Sequence, residues 1–159
     1  MNEVKLGRQN LLGTNVATQI AVVVRDIDKA IDAYSELLGV PKPNVIITDP
    51  DAGRDVYRGK STRAQAKLAF FELGQVSLEL IEPVGTDSVW YEVLAEKGEG
   101  VHHIAFNIQG TGEVTASLAD HGMPVIQQGH YTGGMYTYVD SEAKLGVMLE
   151  LLENFDAGE

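Results

Sequence analysis

The order of apolar and polar residues along the chain predicts short strands that alternate with amphipathic helices. Runs of β-branched residues are typical of strands, and apolar residues three and four positions apart are typical of helices. The pattern predicts strands over 17–24, 45–48, 67–73, 76–82, 101–108, 125–128, 136–140 and 146–153. It predicts helices over 27–38, 86–97 and 111–121. The polar segment 49–64 shows neither period, and we expect a loop there.

The predicted elements occur twice in the same order, which indicates an internal duplication. Residues 19–24 align with residues 103–108, and each strand leads into a helix that ends at a Gly-X-Pro sequence. The last strand of each copy reads Val-Ser-Leu-Glu-Leu-Ile-Glu over 76–82 and Val-Met-Leu-Glu-Leu-Leu-Glu over 147–153, identical at five of seven positions. We therefore interpret the chain as two copies of a module with one strand, one helix and three further strands.

This duplication predicts an α+β fold and sets the expected boundaries. Two βαβββ modules are predicted, the first over 15–83 and the second over 101–153. A linker helix is expected within 84–100. An N-terminal arm over 1–14 and an acidic tail over 154–159 are expected to lie outside the modules.

Aligning the two copies brings four polar residues into equivalent places on the inner faces. His103 aligns with Gln19, and Glu150 aligns with Glu79. Each glutamate interrupts a run of apolar residues, where an ionised carboxylate is costly unless it is paired or binds a metal. Oxygen and imidazole donors suit Zn²⁺, Mn²⁺, Co²⁺ or Ni²⁺, and two carboxylates balance the charge of a dication. The alternative is a polar pocket without metal, in which one carboxyl group holds a proton.

His102 directly precedes His103, and successive side chains of a strand point to opposite faces. Because His102 aligns with Thr18, we assign His103 to the cavity. We interpret His102 as a hydrogen-bonded core residue or an exposed one. Glu82 and Glu153 lie at strand ends and are expected to face the side opposite to the four polar residues.

Composition narrows the class of protein. Of the 159 residues, 44% are hydrophobic and 22% are charged, as in soluble globular proteins, and no apolar run approaches the ~20 residues that span a bilayer. A net charge of −11 would repel a phosphate backbone, which argues against a nucleic-acid partner. Since the chain has no cysteine and no apolar signal segment near its first residue, we expect a cytoplasmic protein.

The sequence resembles the vicinal oxygen chelate superfamily, which includes glyoxalases, bleomycin-resistance proteins and dihydroxybiphenyl dioxygenases. The resemblance covers residues 15–153. It rests on the paired βαβββ pattern, on Val-His-His-Ile-Ala-Phe at 101–106 and on the Leu-Glu-Leu strands at 78–80 and 149–151. It implies that the modules form an incomplete barrel around one divalent metal. The ligand positions of the family fall on Gln19, Glu79, His103 and Glu150.

Within that superfamily, the methylmalonyl-CoA epimerase-like branch is the most similar. The similar motifs are Lys-Leu-Ala-Phe-Phe-Glu-Leu-Gly at 67–74, Glu-Leu-Ile-Glu-Pro at 79–83 and Gly-Glu-Gly-Val-His-His-Ile at 98–104. The resemblance implies proton transfer next to the carbonyl group of an acyl-CoA or 2-oxo compound, with the metal stabilising an enolate as a Lewis acid. Glu150 is the first choice for the base and Glu79 the alternative. We expect a homodimer whose modules pair within one chain or across two.

The sequence also departs from that branch. Gln19 stands where the epimerases usually have histidine, Glu79 stands where they commonly have glutamine, and the segment 61–65 holds no carboxylate where they carry a base glutamate. The Gln, Glu, His, Glu set instead resembles the ligands of some glyoxalase I enzymes. A lactoylglutathione lyase and a non-catalytic binder of small molecules, like the antibiotic-sequestering members, are therefore alternatives. An Fe(II) dioxygenase, which needs two histidines and one carboxylate, is disfavoured.

Two further groups of residues are candidates for binding substrate. Five basic residues would receive a substrate carboxylate or a CoA phosphate, or else belong to a solvated loop: Arg54, Arg58, Lys60, Arg63 and Lys67. Four aromatic residues would line the cavity, or else pack in the core or in a dimer interface: Trp90, Tyr91, Tyr136 and Tyr138.

Overall fold

The structure, a computed structural model, describes residues 10–51 and 54–155. Of the predicted arm and tail, residues 1–9 and 156–159 lie outside the described residues. The strands are β1 (Ala17–Val23), β2 (Ile46–Ile47), β3 (Val56–Tyr57), β4 (Lys60–Ser61), β5 (Gln65–Glu72), β6 (Ser77–Val84), β7 (Gly100–Asn107), β8 (Val125–Tyr131), β9 (Gly134–Val139) and β10 (Met148–Asn154). The helices are α1 (Ile27–Leu38), α2 (Val89–Lys97), α3 (Thr111–Asp120) and α4 (Glu142–Leu145). Among these described helices, none has the length and apolar character that crossing a membrane requires.

The strands form one sheet that curls into a half-barrel. Their order is β2-β5-β6-β1-β7-β10-β9-β8-β3-β4, so that four neighbouring strands come from the first copy of the repeat and the next four from the second. Antiparallel pairing of β1 with β7 joins the two copies within one chain, with Ile20 opposite Ile104. The predicted α+β fold of two βαβββ modules that form an incomplete barrel is confirmed.

Helices α1 and α3 cover the outer face of the sheet, one helix on each copy. Each helix buries an apolar stripe against the last strand of its own copy. The packed residues are Ile27, Ile31, Leu78 and Leu80 in the first copy, and Val114, Leu118, Leu149 and Leu151 in the second. Because side chains alternate along a strand, the residues between these leucines, Glu79 and Glu150, point to the inner face.

Helix α2 fills one end of the inner face. Ser88 caps its first turn, and Val89 and Trp90 are buried. They pack in an apolar cluster with Ile81 of β6 and Met148 of β10. The predicted helix over 86–97 therefore begins three residues late, because the serine side chain accepts the hydrogen bond that starts the helix.

The segment 49–64 is not entirely a loop, because it contains the hairpin of β3 and β4. Its turn, Arg58-Gly59, has positive φ at both residues, 49° and 80°, as the type I′ turn of a two-residue hairpin requires. Two-residue strands are too short to show an alternation in sequence. Since β3 pairs with β8, Val56 lying opposite Gln128, the chain between β2 and β3 crosses from one edge of the sheet to the other.

The segment before the last strand also differs from the prediction. A single helical turn, α4, occupies residues for which the pattern predicts no element, and it ends at Gly146 with φ of 76°. The last strand therefore begins at Met148 rather than at residue 146. One turn of helix is too short to show a 3.6-residue period.

Candidate metal centre

The strand register places Glu79 and His103 in one row of the inner face. Ala21 of β1 lies opposite Glu79 of β6 on one side and opposite His103 of β7 on the other. Because alanine has only a methyl group, the two longer side chains can meet above it. Glu79 is 6% exposed and His103 is completely buried.

The neighbouring row holds the other two predicted ligands in the same way. Ala105 of β7 lies opposite Gln19 of β1 and opposite Glu150 of β10. Ala105 aligns with Ala21 in the repeat, so the duplication supplies a small residue beside each pair. The two rows are two residues apart along their strands and face the same side. All four predicted ligands thus come together.

Three of the four donor side chains are close enough to share one cation. Nε2 of His103 lies 2.7 Å from a carboxylate oxygen of Glu150 and 3.3 Å from one of Glu79. One ligand atom from each of these residues lies within 4.8 Å of the others. The amide of Gln19, with its nitrogen turned to the carboxylates, lies 3.2 Å from both.

Nε2 of His103 lies close to both carboxylates without a directed hydrogen bond to either one. Both carboxylates are near, yet this nitrogen forms no hydrogen bond of good geometry within the described residues. A buried polar atom without a directed partner calls for a specific explanation. An imidazole nitrogen flanked by two carboxylates is a donor set that suits Zn²⁺, Co²⁺, Ni²⁺ or Mn²⁺. The residues present fit a divalent cation.

The ionisation of these buried groups is interdependent. Burial lowers the pKa of His103, but the charge of Glu150 and the contacts with both carboxylates outweigh burial and raise that pKa from 6.5 to about 10. Burial raises the pKa of Glu79; contact with His103 opposes this rise, and the charge of Glu150 adds to it. A proton on His103 therefore contributes a positive charge that offsets the repulsion between the two buried carboxylates, as a bound cation would.

A cavity of about 670 Å³ opens onto this cluster, a volume within the range of small-molecule sites. Gln19, Glu79 and Glu150 line it, and the buried His103 lies behind them. The cavity therefore gives a small molecule access to the carboxylates while the histidine stays shielded from solvent.

The aromatic candidates divide between the cavity and the surface. Trp90, Tyr136 and Tyr138 line the cavity, and the indole N–H of Trp90 donates to the Tyr138 hydroxyl at 3.0 Å. The ring of Tyr138 lies 5.0 Å from that of His103. Burial and the charges of the two glutamates hold the pKa of Tyr138 well above its usual value, so that its hydroxyl stays neutral. Tyr91 is exposed and is not among the residues that line the cavity.

The five basic candidates lie away from the cavity wall as the described residues form it. Three of them are engaged in ion pairs: Arg58 with Glu92, Arg63 with Asp51, and Lys67 with Glu82. This placement favours the interpretation as a solvated surface segment over a receiving site for a carboxylate or phosphate.

The cavity wall includes ionisable residues that are not singled out by the sequence, among them Asp55 and His130. Asp55 is 6% exposed. Its Oδ1 and the Nδ1 of His130 are buried without a hydrogen-bond partner among the described residues. Burial raises the pKa of Asp55, and the Tyr136 hydroxyl opposes this rise. A β-carbon at Gly129 would collide with the Asp55 carboxylate, so this glycine within a strand is the one signal that points to a close approach.

The chain matches a protein family model over most of its length. The family model described as the Glyoxalase/Bleomycin resistance protein/Dioxygenase superfamily matches residues 18–139, which is more than half of the chain. The chain belongs to this superfamily. The matched range includes Gln19, Glu79 and His103 of the candidate metal centre, and Glu150 lies beyond the C-terminal end of that range.

Two curated proteins are similar to this superfamily member. The uncharacterized protein YqjC of Bacillus subtilis (strain 168) is 37% identical over 93 residues, which cover 56% of this chain and 66% of that protein. The mitochondrial methylmalonyl-CoA epimerase of Mus musculus is 28% identical over 137 residues, which cover 77% of this chain and 65% of that protein. The chain thus spans slightly less than two thirds of the length of each of these relatives.

Solved structures share the fold at low sequence identity. A methylmalonyl-CoA epimerase from Mycobacterium tuberculosis has a TM-score of 0.65 and 18% identity over 96% of this chain and 95% of that chain. A hypothetical protein, BH1468 from Bacillus halodurans, has a TM-score of 0.62 and 23% identity over 90% and 96% of the two chains. A methylmalonyl-CoA epimerase in complex with methylmalonyl-CoA and NH₄⁺ has a TM-score of 0.61 and 22% identity over 87% and 93%. At these identities the likeness concerns the fold alone.

Proposed function

We propose that this protein is a divalent-metal-dependent isomerase that moves a proton next to the carbonyl group of an acyl-CoA, as an epimerase does. One observation carries the proposal, namely a buried imidazole and two buried carboxylates whose ligand atoms lie within 4.8 Å of one another, beside a cavity of about 670 Å³. Zn²⁺, Co²⁺, Ni²⁺ or Mn²⁺ would be held by Gln19, Glu79, His103 and Glu150. When bound, the dication supplies a Lewis acid for a carbonyl oxygen.

The similar proteins support the substrate class. The mouse relative is a methylmalonyl-CoA epimerase. Structures of methylmalonyl-CoA epimerases with the same fold hold methylmalonyl-CoA or 2-nitronate-propionyl-CoA. Both ligands are acyl-CoA compounds, so we assign an acyl-CoA thioester to the cavity of this chain.

Glu150 is the proposed base. Its carboxylate lines the cavity, and one of its oxygens lies 2.7 Å from Nε2 of His103. In the reaction, the C–H bond next to the carbonyl breaks, the proton moves to an oxygen of Glu150, and the electron pair of that bond moves toward the carbonyl oxygen to form an enolate. Return of a proton to the carbon completes the isomerisation. Glu79, which also lines the cavity, is the alternative base.

Epimerisation returns the proton to the opposite face of the carbon, so it needs a second acid. The segment 61–65 has no carboxylate, but Asp55 lines the same cavity from the connection between β2 and β3, whereas Glu150 lines it from β10. Burial raises the pKa of Asp55, which favours the protonated form that an acid needs. We therefore assign the second proton transfer to Asp55.

Replacing Asp55 by asparagine is expected to slow epimerisation by about 10²-fold, because general acid–base groups typically contribute 10²–10⁴-fold. The metal content should stay unchanged, since Asp55 is not one of the proposed ligands. Asp49→Asn is a matched control, because Asp49 lines the same cavity from the same connection but is exposed. Turnover is measured by the interconversion of the two acyl-CoA epimers. Equal rates for the two variants would show that Asp55 transfers no proton.

The proposed function is tested by metal analysis and by deuterium exchange. Protein loaded with Zn²⁺, Co²⁺, Ni²⁺ or Mn²⁺ in turn should hold one metal per chain with at least one of them. In D₂O it should exchange the proton next to the carbonyl of methylmalonyl-CoA, and not that of a 2-oxo acid of similar size. Stoichiometric metal without exchange into any of a panel of acyl-CoA compounds would overturn the isomerase proposal. Protein that binds none of the four metals would overturn the metal centre itself.

A glyoxalase I-like lyase is a second candidate, favoured by one specific observation. Two glutamates, a histidine and a glutamine meet at the centre of this chain, and the sequence of that set resembles the ligands of some glyoxalase I enzymes. The hemithioacetal of glutathione and methylglyoxal distinguishes the candidates, because a lyase would convert it and an acyl-CoA epimerase would not. A non-catalytic binder would take up a planar drug without stoichiometric metal.

A further inference from the structure

We propose that His102 is a positioning residue that fixes the tautomer of His103, so that Nε2 of His103 always faces the metal centre. This inference rests on the proposed metal-dependent function. Nδ1 of His102 lies 2.9 Å from Nδ1 of His103, and Nε2 of His102 lies 3.3 Å from the carbonyl oxygen of Val89. Both histidines are buried, with 2% and 0% exposure.

A β-bulge explains how two consecutive histidines come into contact. Along the β1–β7 pairing, Ala21 lies opposite His103 and Val22 lies opposite Val101, so that His102 has no partner in the register. An extra residue in one strand bends the chain and turns its side chain away from strict alternation. The ring of His102 therefore reaches the ring of its neighbour rather than the opposite side of the sheet.

The positions of the protons follow from the chemistry of the acceptor. The Val89 carbonyl oxygen can only accept a hydrogen bond, so Nε2 of His102 carries a hydrogen and donates it. In a neutral imidazole the other nitrogen is then an acceptor. Nδ1 of His102 consequently accepts from Nδ1–H of His103, and the sole nitrogen of His103 left for a cation is Nε2.

The polar surroundings of His102 favour this placement of the hydrogens over the reverse one, in which His102 would donate to His103. Within the described residues, its two ring nitrogens face a backbone carbonyl and a histidine rather than a carboxylate, and burial disfavours its charged form. The carbonyl of Val89 is itself held in place, because Val89 N–H donates to the side-chain oxygen of Gln127 at 2.8 Å. Hydrogen bonds thus connect β8, α2 and β7 to the imidazole of His103.

The consequence for metal binding is direct. A ligand histidine must present a lone pair at the metal, and the hydrogen bond of its other nitrogen sets which nitrogen that is. Without an acceptor at position 102, Nδ1–H of His103 is either buried without a partner or lost by a shift of the hydrogen to Nε2, which blocks the metal. Loss of such an orienting partner typically costs 10–100-fold in metal affinity.

Two variants at position 102 separate positioning from packing. His102→Asn keeps an oxygen acceptor near the place of Nδ1, whereas His102→Leu fills a similar volume without one. We expect His102→Leu to bind Zn²⁺ about 10–100-fold more weakly than the wild type, and His102→Asn to lie within about threefold of the wild type. Affinity is measured by competition with a chelator on variants whose folding is checked by thermal unfolding.

Nitrogen NMR of the histidine rings tests the same inference on the wild-type protein, without a variant. In wild-type protein prepared with a chelator, His102 should be neutral with its hydrogen on Nε2, and after Zn²⁺ is added His103 should carry its hydrogen on Nδ1. A hydrogen on Nδ1 of His102, or equal Zn²⁺ affinity of wild type and His102→Leu, would overturn this inference alone. Wild-type protein that binds no Zn²⁺, Co²⁺, Ni²⁺ or Mn²⁺ would instead overturn the proposed function on which it rests.

Discussion

Replacing Glu150 by glutamine is expected to lower proton exchange next to the carbonyl by about 10³-fold, the middle of the range for a general base. Glutamine keeps the shape of the side chain and an oxygen donor, but it cannot accept a proton at neutral pH. Exchange of the methylmalonyl-CoA proton in D₂O measures the effect. The assay is run at saturating metal, with bound metal counted by elemental analysis, so that loss of the base is separated from loss of the metal.

Two matched variants show whether the effect belongs to Glu150. Glu153 lies on the same strand as Glu150, but its carboxylate accepts hydrogen bonds from the first turn of α3 and does not take part in the candidate metal centre. The Glu153→Gln variant should therefore exchange protons at close to the wild-type rate. Glu79→Gln changes the equivalent glutamate of the first copy and should lose less exchange than Glu150→Gln when both carry metal. The reverse order would assign the base to Glu79. Full activity of metal-loaded Glu150→Gln would remove Glu150 from the mechanism.

The sequence predicts the fold and the four donors because both depend on the duplication. An ionisable residue inside an apolar strand is conspicuous, and its recurrence at Glu79 and Glu150 shows that it belongs to the module. Alternation along each strand then fixes the side on which both carboxylates lie. None of these steps requires knowing which strands are neighbours, and this is why sequence alone suffices for them.

The role of the small residues depends on strand register, which the sequence does not reveal. Ala21 and Ala105 matter because β1 and β7 pair with each other and with the two glutamate strands. Whether the modules pair within one chain or across two is open from sequence for the same reason. The bulge at His102 is likewise defined only by the pairing of β7 with β1. Strict alternation would place the two histidine side chains on opposite faces, so the sequence does not predict their contact.

Two features of the segment between β2 and β5 could not be predicted from the sequence. For Arg58 the sequence leaves open a substrate-binding role or a solvated loop, and it does not reveal the ion pair with Glu92, which is thirty-four positions away. Asp55 lies in a polar segment with no period, and its burial results from the hairpin that crosses to β8. The ion pair of Arg58 and the burial of Asp55 both depend on where the loop lies in the folded chain, and local sequence propensity does not reveal that position.

If the proposed centre binds a divalent metal, loading the protein with that metal is expected to raise its melting temperature by about 10 °C. A ligand at about 1,000 times its dissociation constant stabilises the folded state by about 4 kcal/mol, and 1 kcal/mol shifts the melting temperature of a domain of this size by about 2–4 °C. Differential scanning calorimetry of chelator-treated and reloaded protein measures the shift. His103→Gln should show little of it, whereas His121→Gln, at an exposed histidine outside the centre, should keep it.

The rise in melting temperature that the metal causes should itself become larger as the pH rises. The reason is that a proton and the metal compete for Nε2 of His103. In the absence of metal its pKa is raised from 6.5 to about 10, so the stability that this proton contributes is full below pH 6.5 and is lost as the pH rises through about 10. A cation at Nε2 must release that proton, and its affinity should therefore increase about tenfold per pH unit between pH 6.5 and 8. Calorimetric titrations in buffers of different ionisation enthalpy count the proton directly. An affinity that is independent of pH over this range would mean that the proton does not lie where the metal binds, and that the two buried carboxylates are neutralised in another way.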